Sequence, residues 1–175
     1  MHIVSISGSP SQRSRSAWLL QLAHERLADD ARSERVIAVR ELPAGALLAA
    51  DVGAAPIRVA LDDVQRADVV IVATPIYKAA YSGLLKAFLD LLPQDALRGK
   101  TVLPLATGGS LAHLLALDYA LKPVLAALGA REILDGVFAA DAQLAPLPDG
   151  GFAPDEALLA RLERALEPVA ARCSA

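Results

Sequence analysis

Serine and arginine crowd one short segment near the start of the chain. His2-Ile3-Val4-Ser5-Ile6-Ser7 reads as a short strand, and Gly8-Ser9-Pro10-Ser11-Gln12-Arg13-Ser14-Arg15-Ser16 follows it. Trp18-Leu19-Leu20-Gln21-Leu22-Ala23 then starts an amphipathic helix. Free N–H groups and the positive end of a helix dipole attract anions. Hydroxyls donate hydrogen bonds, and guanidinium matches phosphate oxygens. The segment is therefore a candidate phosphate site. Its plainer reading is a polar turn in which Ser14 or Ser16 caps the helix.

Two further loops carry chemistry of another kind. Val69-Val70-Ile71-Val72-Ala73 is a β-branched apolar run, as in a strand buried on both faces. Pro75 is expected to stop that strand, because it lacks an N–H and biases Thr74 away from helix. A loop with Tyr77 and Tyr81 follows, and a helix begins near Ser82. Ligands of open α/β sheets bind outside the carboxyl ends of strands, so a flat ligand would lie along residues 75–81. The third loop is Thr107-Gly108-Gly109-Ser110. Adjacent glycines let backbone approach a ligand closely. The plainer reading is a strand-to-helix turn capped by Ser110.

The elements that position these loops alternate. Strands are expected at about 2–7, 35–40, 68–74, 101–106 and 131–138. Helices are expected at about 15–29, 57–66, 82–92, 111–128 and 154–171, with residues 42–56 as loop. Such alternation implies an α/β, flavodoxin-like three-layer sandwich: a five-stranded parallel sheet of order 2-1-3-4-5. Its ligand crevice falls between strands one and three. With no linker or repeat, residues 1–175 are expected to form a single domain.

Composition narrows the class. A net charge of −3 argues against nucleic acid as the partner, since a basic face is that partner's footprint. The single cysteine, Cys173, has no internal disulfide partner, and no metal-ligand spacing is present, so no metal is expected. No secretory signal or membrane-length apolar run is seen, and the expectation is a cytoplasmic protein without a membrane partner.

The expected helices three and four are apolar most of the way round, from Leu84 to Leu92 and from Leu111 to Leu128. Their outer faces are expected to meet another subunit. Pro123 removes the N–H that would serve the carbonyl of Tyr119, which calls for either a kink or a π-bulge at Asp118–Tyr119. His2 and His24 read as solvated, and His113 is a weak candidate for touching a ligand. Arg161, Glu163, Arg164 and Glu167 read as the wet face of the last helix.

Three stretches together resemble the NADPH-dependent FMN reductase family. They are Gly8-Ser9-Pro10 with its serine/arginine loop, Ala73 to Gly83, and Leu103-Pro104-Leu105-Ala106-Thr107-Gly108-Gly109. The run from His113 to Leu125 resembles the FMN reductases of two-component alkanesulfonate monooxygenase systems, which would place the chain in sulfur metabolism. The match is weak from Ala142 onward. The resemblance implies FMN and NADPH (or NADH) as substrates, a homotetramer, and a transient flavin-dependent monooxygenase partner. It implies that Ser9, Arg15 and Ser16 hold the FMN phosphate. Pro75, Ile76 and Tyr77 would flank the isoalloxazine, with Gly108, Gly109 and Ser110 on its other side. Tyr119 would be an inserted residue forming a π-helix at the tetramer interface. Some relatives carry Arg where this chain has Ser11, so the phosphate contact falls to Arg13 or Arg15.

No catalytic side chain is expected, because hydride transfer between nicotinamide and flavin uses reactive centres of the cofactors. An FMN-retaining quinone or azo reductase is the alternative enzyme. A flavodoxin-type electron carrier is the non-enzymatic one, although a carrier usually needs a strongly charged docking face.

Overall fold

The computed structural model describes residues 1–27 and 33–173. Its central sheet contains β1 (His2–Ser7), β2 (Ser33–Ala38), β3 (Val69–Tyr77), β4 (Ala80–Tyr81), β5 (Thr101–Gly108), β6 (Glu132–Ile133) and β7 (Val137–Ala140). The order is β2-β1-β3-β5-β6, with β7 also on β5 and β4 folded back on β3. All pairings except β3–β4 are parallel. This is the flavodoxin-like order expected from the alternation of elements.

Side chains alternate between two cores, as the period of a strand requires. Ile3, Val69, Ile71, Leu103 and Leu105 face α1 (Arg15–Glu25) and the last helix, Glu156–Cys173. Val4, Ile6, Val70, Val72 and Val102 face the other side. That side is covered by α2 (Ala44–Leu48), α3 (Ala55–Arg66), α4 (Gly83–Leu89) and α5 (Lys122–Ala127). The last helix is α6. The short α2 falls inside the stretch expected to be loop. The expected end of helix one, at 29, lies outside the described residues.

Prolines and a glycine explain where the strands depart from expectation. Pro75 does not stop β3, which runs on to Tyr77. Gly8 N–H donates to Ala73 O, so residues 73 and 75 both turn their backbone groups toward β1. β1 has ended at Ser7, so the N–H that Pro75 lacks has no partner to miss. Conversely, the fifth strand position is broken. Leu134 N–H donates to Val102 O, so Pro104 faces the same neighbour without a donor. β6 therefore stops at Ile133, and β7 resumes pairing at Val137 opposite Leu105. Gly136 sits in the gap, where an added Cβ would meet Pro104 O at 2.9 Å and Leu117 Cδ1 at 3.0 Å.

A small two-stranded sheet follows: β8 (Leu144–Pro146) antiparallel to β9 (Phe152–Pro154). Three-residue strands flanked by Pro and Gly carry the sequence pattern of a loop, so this hairpin departs from the expected elements.

Gly136→Ala is expected to destabilise the fold by about 1–3 kcal/mol, the usual range for overpacking. The check is a shift in urea midpoint at unchanged slope. Wild-type stability in this variant would mean that the gap has more room than the contacts indicate.

Candidate functional site

The carboxyl ends of β1, β3 and β5 converge on one cleft of about 230 Å³. It is lined by Ser9, Ser11, Arg13, Ser14, Arg15, Pro75, Ile76, Tyr77, Thr107, Gly108, Gly109 and Asp141. A larger hollow of about 590 Å³ lies beside α3 and residues 91–100. Position decides between them, since the first sits at the switch point of the sheet and gathers anion donors.

One polar knot ties the first two loops together. Ser82 Oγ donates to Gly8 O and accepts from Leu85 N–H (3.1 Å), which caps α4. Ser82 N–H donates to Thr74 Oγ1 (3.0 Å), and Thr74 Oγ1 donates to Pro75 O (2.9 Å). Gly8 has no room for a side chain: a Cβ would meet Leu85 Cβ at 2.6 Å. The first loop is therefore clamped against α4 and β3.

Within that loop, Ser9 is buried, and its Oγ accepts from Ser11 N–H at 3.2 Å. A hydroxyl that accepts there still has its own proton to donate. Ser14 caps α1 by accepting from Ala17 N–H (3.2 Å). Ser16 is buried and shares a 3.0 Å hydrogen bond with Ser14 Oγ. It supports the cap and is not part of the cleft lining. Arg15 Nε donates to Leu144 O (3.4 Å), its guanidinium lies 5.0 Å from the centre of the Phe152 ring, and Nη1 is 3.6 Å from Asp141 Oδ2. Arg13 reaches Leu147 O (3.4 Å). Both arginines thus lean on the β8–β9 hairpin.

The facing wall is β3 and the turn after it. Ile76 is half-buried and Tyr77 is 50% exposed. Lys78 and Ala79 both take positive φ, at 51° and 64°. Two such residues make the turn whose twist suits a hairpin, here without the usual glycine or asparagine. On the other side, Gly108 is packed, since a Cβ would meet the Phe138 ring at 3.0 Å. At Gly109 a Cβ would meet nothing within 4 Å. Packing does not demand that glycine, whereas close approach of a ligand would. Ser110 is outside the lining and caps the turn at Leu111–His113 through Ala112 N–H (3.3 Å). His113 lies in that turn, outside the lining.

Several positions differ from the sequence reading. Ser11, Ser14, Thr107 and Asp141 join the lining. Thr107, already part of the third candidate loop, pairs with Pro75; Asp141 follows β7, and the strand-end rule applied to that strand would have found it. Arg161 is not on a wet face: it donates to Phe138 O (2.8 Å) and Gln143 Oε1 (2.9 Å). His24 is half-buried, with Nδ1 3.4 Å from Ser5 Oγ.

Among the described residues, three side chains have clearly shifted pKa values, and all lie outside the lining. Burial raises the Tyr81 phenol, the hydrogen bond to Asp90 raises Lys86, and burial lowers Lys100. Lys100 donates to Gln65 O and Ala67 O, the carbonyls that end α3.

The helix expected over residues 111–128 is irregular, as Pro123 requires. Residues Leu117–Leu121 form a π-helix, and Lys122 N–H donates to Leu117 O, five residues back. Tyr119 is 78% exposed on it, beside exposed Leu111, Leu114 and Leu115. Leu121 is fully buried, and so are the inner leucines of α4, within the chain's own core. The exposed apolar face thus belongs to residues 111–119 rather than to both helices.

The family model for NADPH-dependent FMN reductases matches residues 1–145. The chain belongs to that family. An "FMN reductase (NADPH)" of Escherichia coli is 49% identical over 168 residues, covering 95% of this chain and 87% of that protein. One of Pseudomonas putida is 52% identical over 145 residues, covering 83% and 74%. Among solved structures, an apo NADH:FMN oxidoreductase superposes with a TM-score of 0.88 at 45% identity, covering 98% of this chain and 89% of that one. Among the described residues, no helix is long and apolar enough to cross a membrane.

Ser82→Ala is expected to cost about 1–2 kcal/mol of stability, because it removes the α4 cap. It also strands the Gly8 carbonyl. Urea denaturation of the variant against wild type measures this. A change within error would show that the knot contributes little.

Proposed function

We propose that the cleft binds FMN and NAD(P)H together, and that the chain supplies FMNH₂ to a two-component monooxygenase, an alkanesulfonate one by the resemblance of residues 113–125. The observation that carries the site is the meeting of anion donors with two backbone-lined walls at one sheet edge. The donor set fits FMN: Ser9, Arg13 and Arg15 suit a phosphate at the start of α1. Pro75, Ile76 and Tyr77 provide one wall for a planar ring system, and Gly108 and Gly109 the other. When bound, the flavin accepts a hydride from the nicotinamide ring, and both reactive centres belong to the small molecules.

The chain's own part is to bind and orient. Ser16 holds the Ser14 cap, so it acts on the phosphate site from behind. Ser110 fixes the turn that follows Gly109. Backbone N–H groups at Gly108 and Gly109 would stabilise negative charge developing on the ring, in the manner of an oxyanion hole. Half-exposed Tyr77 leaves that wall open to a second ring and to exchange of the flavin.

Assembly follows from the residues 111–119 face. Three exposed leucines and Tyr119 form an apolar patch rimmed by the Asp118–Lys122 ion pair (2.7 Å). We read it as the contact between copies in a homotetramer, with Tyr119 in the interface.

Two outcomes are expected. Arg15→Ala should weaken FMN binding by about 1.5–3 kcal/mol, the range for a hydrogen bond to a charged group. Riboflavin, which has no phosphate, should be little affected. Equal losses for both flavins in a fluorescence titration would remove Arg15 from the phosphate site. Light scattering should give a tetramer for wild type. Leu115→Asp should lower the mass or precipitate the protein, by placing an unpaired carboxylate in an apolar contact. A monodisperse wild-type monomer would contradict the assembly.

A further inference from the structure

We propose that Asp141 sets how loosely the flavin phosphate is held, by keeping a carboxylate in the same cleft as the arginines. The inference rests on the reading of Gly8–Ser16 as the phosphate loop. Asp141 opens the Asp141–Gln143 turn that follows β7, and it lines the cleft with Ser9, Arg13 and Arg15.

The turn is built rather than loose. Gln143 Oε1 accepts from Ala140 N–H (3.2 Å) and from Arg161 Nη2 (2.9 Å). Gln143 Nε2 donates to Asp155 Oδ2 (3.1 Å). These partners fix the backbone at Asp141 without using its carboxylate.

The carboxylate is one of three supports of Arg15: its Oδ2 forms an ion pair with Arg15 Nη1 at 3.6 Å. The Leu144 carbonyl and the Phe152 ring hold the guanidinium independently of that charge. Removing the charge should therefore leave Arg15 in place. What Asp141 does supply is a negative charge beside an incoming phosphate, which carries close to two negative charges at neutral pH. It offsets part of the arginine attraction and favours departure. A reductase that hands its flavin on benefits from that, whereas one that retains its flavin does not.

The test is Asp141→Asn, which keeps the shape and removes the charge. The side chain is 45% exposed, so the substitution should be tolerated. FMN and riboflavin are titrated into wild type and variant at low and high salt. FMN should bind about fivefold tighter to the variant, with a steeper loss on adding salt, and riboflavin should be unchanged. Unchanged or weaker FMN binding, with wild type still preferring FMN over riboflavin, would overturn the role of Asp141 alone. Tightening of both flavins equally would also overturn it. A wild type that binds both flavins equally would overturn the phosphate reading and this inference with it.

Discussion

The hydrogen bond from Ser82 to the Gly8 carbonyl is the contact on which the cleft depends. Gly8 leaves β1 with its N–H on Ala73 O and its α-carbon pressed against Leu85. Ser82 closes the arrangement by donating its N–H to Thr74 Oγ1 while its hydroxyl caps α4. The serine/arginine loop and the strand that carries Pro75, Ile76 and Tyr77 are thus one packed unit. A buried polar knot of this kind is stable because every member is satisfied, and its failure would be costly for the same reason.

The rest of the cleft is built on that unit by a second device at the other end of the chain. The β8–β9 hairpin receives Arg13 on Leu147 O and Arg15 on Leu144 O and Phe152. Phe152 is steadied by an edge contact with Trp18, 6.2 Å between ring centres. The arginines are held ready at the strand ends, and their orientation cost is met in folding rather than on binding. The segment that matched the family least well at the sequence level is therefore the one that positions its cations.

Legibility followed the strength of each local signal. Apolar runs located β1, β3 and β5, and the alternation of strand with helix implied the order in which they and β2 lie. Pro123 announced the irregular helix, because a missing donor must be answered somewhere along it. Pro75 misled, since its effect depends on which side its absent N–H faces and on β1 ending at Ser7. Pro104 and Gly136, which break the fifth strand, act only across the sheet and leave no pattern along the chain. Ser16, Ser110 and Leu121 were legible as residue types but not in direction. A serine at a helix start can face a ligand or brace a cap, and a leucine in an all-round apolar helix can face inward or outward.

In the proposed function the cleft grips FMN firmly enough for its reduction and loosely enough to let it go. Anaerobic mixing of catalytic protein with NADPH and a large excess of free FMN, followed by ultrafiltration, tests this directly. Nearly all of the FMN is expected as FMNH₂ in the filtrate, far beyond one equivalent per chain. Reduction that halts at one equivalent, with the flavin retained by the protein, would contradict it.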